Sequence, residues 1–181
     1  MRKSFSNTTA MLVAMALMAM PFGLALAGDY GHGDHAQAKG DMGAKMEMMK
    51  AEFAKCDICK NMLPYWDSVM PSMKSEVAKL DKGMALMYST SDPSKVASLH
   101  EMCDKMYVAG DAAAKYSDAD VKAKLCQYCQ GMVGLTKAGA TMSHGATANG
   151  NLLIFSSADR AVQEKIAAMR VVCETQVAAG N

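Results

Sequence analysis

Six cysteines set the plan of this chain, because they fall into two identical triplets. Cys56, Cys59 and Cys103 follow the pattern C-x2-C-x43-C, and Cys126, Cys129 and Cys173 repeat it 70 positions later. Other residues keep that offset: Met62 with Met132, Lys95 with Lys165, Val96 with Ile166, and Leu99 with Met169. Between the cysteines the offset drops to 67. It then aligns Gly83, Leu86, Tyr88, Ser89, Thr90 and Asp92 with Gly150, Leu153, Phe155, Ser156, Ser157 and Asp159. A three-residue gap in one loop, restored in the next, reconciles the two offsets. The chain therefore reads as one unit duplicated in tandem, with residues 42–110 as the first copy and 111–181 as the second. Units this small are expected to share a core.

Each copy reads as helix, hairpin, helix. In the first, Met42, Met46, Met49, Phe53, Cys56 and Leu63 recur at helical spacing, a stripe that ends near Pro64. Ser75 to Leu80 and Met84 to Thr90 are strand-like runs around Asp81-Lys82-Gly83, a turn signal. Ser91-Asp92-Pro93 then starts a helix striped by Val96, Leu99, Cys103 and Met106, with proline near the first turn where its missing N–H costs nothing. In the second copy, Ser117 or Asp118 caps a helix carrying Val121, Leu125, Cys129 and Met132. Ala148-Asn149-Gly150 is its hairpin turn, and Asp159 opens a helix striped by Val162, Ile166, Met169 and Cys173. Ala109 to Lys115 reads as the connection between copies. The expected class is α+β: two hairpins pairing into one four-stranded antiparallel sheet with helices packed on it, since lone two-stranded ribbons are marginal. An all-α bundle is the alternative.

The N-terminus reads as an export signal. Arg2 and Lys3 precede an almost wholly apolar stretch from Ala10 to Ala27, which ends in Ala25-Leu26-Ala27, an A-x-A cleavage site. Pro21 and Gly23 interrupt the stretch, and it is short for a membrane span. Residues 1–27 are thus a signal peptide cleaved after Ala27, and the address is periplasmic or secreted, with no membrane span after cleavage. Cleavage removes two cations and no acid, taking the formal charge from +1 to -1. That balance argues against nucleic acid as a partner, because phosphate binding needs a concentrated basic surface.

Within each copy, the first two cysteines and a methionine form C-x2-C-x2-M: Cys56, Cys59, Met62 and Cys126, Cys129, Met132. On a helix the paired sulfurs share a face. If the third cysteine's helix covers the same hairpin, three thiols and a thioether converge in each copy. Such ligands select Cu(I), and thiolates also suit zinc. The competing reading is disulfides, which export favours. Three cysteines cannot pair within one copy, so one scheme joins Cys56 to Cys103, Cys126 to Cys173, and Cys59 to Cys129. A thioredoxin-like exchanger is a third reading, although its C-x2-C belongs at a helix N-terminus, and here the stripe precedes Cys56 and Cys126 reads as lying inside its helix. Haem attachment needs histidine after C-x2-C, where this chain has Lys60 and Gln130. No Ser/His/Asp arrangement or nucleotide fingerprint is visible, so the reading is non-enzymatic.

Residues 28–41 are rich in Gly, Asp and His and are expected to be disordered until something binds them. With Met42, Met46, Met48 and Met49 they bring two histidines, His32 and His35, close to several thioethers, a set that suits copper in both oxidation states. His32, His35, Met42 and His100, which lies one turn before Cys103, are possible accessory ligands. Met84, Met87, Met102 and Met169 are expected to be core packing.

The order C-x2-C, methionine, hairpin with a glycine-containing turn, then helix resembles the NosL family of periplasmic copper chaperones. It does so over about 50 residues of each copy, through Cys56, Cys59, Met62, Gly83 and the helix from Asp92. The family's methionine stands two residues after the second cysteine and here three. The resemblance implies copper binding through C-x2-C and methionine. The combined expectation is one soft-metal site per copy, for chaperoning or sequestration, with a periplasmic metalloprotein or exporter as a possible partner.

Overall fold

A computed structural model describes residues 46–180. His32, His35 and Met42, and residues 1–27, read above as a signal peptide, lie outside the described residues. In the first copy, helix α1 (46–54) leads to a 3-10 helix (Cys59–Tyr65), strands β1 (Met73–Leu80) and β2 (Gly83–Thr90), and helix α2 (Val96–Ala113). In the second, α3 (Asp118–Lys124) and α4 (Gln127–Lys137) lead to β3 (Thr141–Thr147), β4 (Gly150–Ser156) and α5 (Arg160–Gly180). The class is α+β, and the two hairpins form one antiparallel sheet in the order β1-β2-β4-β3. Helix α2 runs through the stretch expected to connect the copies and leaves only 114–117 outside helix.

The register of the inner strands carries the duplication into three dimensions. Leu86 stands opposite Leu153, Gly83 opposite Ser156 and Ser89 opposite Gly150. Because Leu86 and Leu153 are counterparts, as are Gly83 with Gly150 and Ser89 with Ser156, this pairing is symmetric about a local two-fold between the leucines. The two glycines are its tightest points. A Cβ at Gly83 would run into the carbonyl of Phe155, and one at Gly150 into that of Tyr88, its counterpart. Neither glycine is needed for a turn, as their sequence neighbours imply; both are needed for the close approach of β2 and β4.

The helix starts are duplicated down to single hydrogen bonds. Thr90 Oγ1 accepts from the Asp92 amide, and Asp92 Oδ1 accepts from the Ser94 amide at 3.0 Å. In the second copy Ser157 Oγ accepts from the Asp159 amide, and Asp159 Oδ1 accepts from the Ala161 amide at 2.7 Å. These side chains satisfy amides that the first helical turn leaves without partners. Inward-facing Met84, Leu86, Leu153 and Phe155 then meet Leu99 and Met102 of α2 and Ile166 and Met169 of α5 in the main core. Met84, Met102 and Met169 are buried there as expected of packing residues, and Met87 is half-buried.

The first segment of each copy departs from the expected single helix. Helix α1 stops at residue 54, and 3-10-type bonds close it, Lys55 N to Glu52 O and Cys56 N to Phe53 O. Met46 and Met49, expected on a buried stripe, are 42% and 46% exposed, so only Phe53 of that stripe packs from this helix. Pro64 lies inside the following 3-10 helix and has no N–H for an α-helical bond, whereas its counterpart Gly134 lies within α4. In the second copy the chain breaks at Leu125, whose extended backbone separates α3 from α4.

Candidate metal centre

The two breaks place the C-x2-C segments where their sulfurs can meet. Each first cysteine opens a helical turn: Lys60 N donates to Cys56 O and Gln130 N to Cys126 O, both at 2.9 Å. Cys126 is the residue that caps the N-terminus of α4. The copies are tied together beside these turns. Asp57 N donates to Lys124 O at 3.0 Å, and the Tyr116 hydroxyl donates to Asp57 Oδ2 at 2.9 Å. A small apolar cluster of Ile58, Ala113, Leu125 and Val133 surrounds the sulfurs.

Cys56, Cys59, Cys126 and Cys129 form one group whose four Sγ atoms all lie within 4.8 Å of one another. Cys59 Sγ is 3.4 Å from Cys129 Sγ and 3.7 Å from Cys126 Sγ. Four sulfurs held about 2.3 Å from a shared tetrahedral metal stand about 3.8 Å apart, close to the two short separations of Cys59 from Cys126 and Cys129. All six cysteines are free thiols. Cys56, Cys59 and Cys129 are buried and Cys126 is half-buried, so Cys126 is the most accessible sulfur of the group.

Crowding thiols together divides their acidities. Hydrogen bonds from Cys126, Cys129 and Cys59 favour the thiolate at Cys56 and lower its pKa. Cys126 is lowered to about 7, chiefly by the Cys129 thiol. Cys59 and Cys129 are raised, because each faces neighbouring thiolates and both are buried. Lys60, paired with Asp57 at 2.7 Å, also senses the charge of Cys56, which places a cation beside the sulfur group.

Comparison with known proteins returns no match among family models, curated proteins or solved structures.

The arrangement differs from one site per copy. The C-x2-C pairs of both copies share a single group, and Cys103 and Cys173 stand apart from it in the main core. The reason is topological: the counterparts Cys59 and Cys129 approach each other just as Leu86 and Leu153 do, so the pairs meet between the copies. Met62 is buried near Cys59 in a shared cavity wall, and Met132 lines a smaller cavity. His100 is not in the group; its Nε2 lies 2.9 Å from Gly150 O and 3.1 Å from Thr147 O, holding the second hairpin's turn. Its counterpart Arg170 pairs with Glu174 instead. His144 stacks on Tyr107 at 4.2 Å.

Spacing alone did not mark Asp57, Tyr116, Tyr107, Tyr128 or Asn151. Asn151 had one readable signal, a polar residue in register with Leu153 and Phe155 on the inward face of β4.

Proposed function

We propose that this chain is an exported soft-metal-binding protein whose ion is held by the thiolates of Cys56, Cys59, Cys126 and Cys129, with Cu(I) as the ion it handles and zinc as the closest alternative. The observation that carries the reading is the four-sulfur group itself: three buried cysteines and one half-buried one, drawn from two distant segments. Four acidic groups are seldom gathered in an apolar shell unless something neutralises them, and soft sulfur selects thiophilic ions. Cys126 gives the route for exchange by ligand replacement. The export signal, the His/Met-containing N-terminal segment and the resemblance of each copy to copper chaperones favour copper, delivered to or sequestered from an exported metalloprotein.

The test is metal and thiol content of protein prepared anaerobically, before and after adding Zn(II) or Cu(I). Tightly held metal with masked thiols is expected, and the double variant Cys59→Ser/Cys129→Ser should hold none at this group. Unchanged zinc stoichiometry in that variant would sink the reading.

A second reading draws on Cys126, a half-buried thiol of lowered pKa at the N-terminus of α4. Thiol–disulfide exchange begins at such a sulfur, with Cys129 or Cys59 to resolve it. It requires that mild oxidation form one disulfide within the group, which a mild reductant reopens, and that Cys126→Ser abolish it.

A further inference from the structure

Between α2, α5 and the inward face of the sheet lies a cavity of about 320 Å³. Cys59, Cys126 and Cys129 form one end of its wall, and the cavity extends from there to the two cysteines left outside the group, Cys103 and Cys173. Five thioethers complete it: Met62, Met70, Met73, Met102 and Met106. Ten of its seventeen wall residues carry sulfur, and none is acidic, basic or histidine. Methionine used only as filler closes space, because its flexible chain follows irregular gaps. Here the thioethers surround open space instead.

Buried polar groups without partners stand around Cys103, and a hydroxyl stands beside Cys173. Asn151 is 1% exposed and Tyr107 6%, yet neither the Asn151 amide nor the Tyr107 hydroxyl has a hydrogen-bond partner. Buried polar groups in that state are costly, so proteins rarely keep them without a use. Burial pushes the Cys103 thiol up to about 11, and Asn151 and Tyr107 beside it act in the opposite direction. A thiolate there would accept from both. At Cys173 the Tyr128 hydroxyl lies 3.5 Å from Sγ. Outer groups that hydrogen-bond a sulfur ligand are what orients and tunes a metal thiolate.

We propose that this cavity is a second metal compartment that takes up a soft monovalent ion of the Cu(I) class on Cys103 and Cys173, with thioethers of its wall as further ligands. The inference rests on reading the four-cysteine group as a soft-metal centre and adds a store behind it. Charge sets the preference for a monovalent ion. Entry of one Cu⁺ releases one thiol proton to solvent and leaves a neutral pair, while the thioethers bind without losing protons. A divalent ion would bring uncompensated charge against a largely apolar wall unless both thiols ionised. Because Cys59, Cys126 and Cys129 border the cavity as well as the group, an ion can pass between the two by successive sulfur replacement.

The experiment compares Zn(II) and Cu(I) retained per chain after anaerobic desalting against a competing chelator. The native protein is expected to keep one zinc but at least two copper ions. Cys103→Ser/Cys173→Ser should keep the zinc and lose one copper ion. Cys59→Ser/Cys129→Ser should lose the zinc and still retain about one. Met102→Leu/Met106→Leu, which conserves volume and so spares the fold, should weaken copper retention with zinc unchanged. If the Cys103→Ser/Cys173→Ser protein retains as much copper as the native one, or the native protein takes up no more copper than zinc, the compartment is overturned while the four-cysteine centre stands. Failure to hold zinc with copper still lost from Cys103→Ser/Cys173→Ser would overturn the centre and leave the compartment.

Discussion

At the residue scale, Cys126 and Cys103 illustrate what two environments do to one functional group. Cys126 is half-buried at the start of a helix and accepts hydrogen bonds from neighbouring thiols, that of Cys129 above all, so its pKa falls to about 7. Cys103, on the buried side of α2, is 2% exposed, and burial pushes its thiol up to about 11. The thiolate is the reactive form, so in reduced, metal-free protein iodoacetamide should label Cys126 first and Cys103 far more slowly. For Cys126 the sign is plain: a lowered pKa means the rate climbs as pH rises through about 7 and levels above it, where an ordinary thiol is still gaining. Mass spectrometry of partially labelled protein checks the order, and preferential labelling of Cys103 would contradict it. Bound metal should protect Cys126 as well.

At the element scale, the inner strands and the helix caps make paired predictions, because each feature occurs twice. Ala at Gly83 must displace the backbone at Phe155, and Ala at Gly150 must displace it at Tyr88. Strand backbone yields less readily than a side chain, so each substitution should destabilise by at least the 1–3 kcal/mol typical of overpacking. Asp92→Ala and Asp159→Ala each remove a side chain that accepts from helix-start amides, and each should cost about 1 kcal/mol. Thermal or denaturant unfolding measures both pairs. The glycine variants should fall below the cap variants, and a reversed order would mean the two inner strands are less closely locked than their register implies. Helix α1 leaves Met46, Met48 and Met49 exposed and packs on the core through Phe53. Among the described residues, no helix is long and apolar enough to cross a membrane.

At the scale of the whole molecule, the sulfur group joins the copies two residues from each side. A metal bound there acts as a clasp between residues 56–59 and 126–129, beyond what the shared sheet already provides. An ion that binds only the folded chain stabilises it by mass action, about 4 kcal/mol when its free concentration is a thousandfold above its dissociation constant. Thermal unfolding of reduced protein should therefore shift upward with Zn(II) or Cu(I) and return on chelation. The shift should vanish for zinc in Cys59→Ser/Cys129→Ser. A melting curve indifferent to metal in the native protein would remove the clasp.

The primary structure by itself determined the duplication, the class and the order of elements, because these rest on local and periodic signals: offsets of 70 and 67, alternating strands, and capping aspartates at Asp92 and Asp159. It also determined which residue types could bind a soft metal. Tertiary structure alone decided how they are shared. Spacing within one copy implies a site within one copy, but pairing β2 with β4 about Leu86 and Leu153 brings Cys59 to Cys129 and leaves Cys103 and Cys173 over the sheet. The helix breaks at residues 55–58 and at Leu125, which aim the C-x2-C pairs at each other, were hidden for a related reason. Apolar periodicity runs through a break unchanged, and only the path of the packed backbone reveals it.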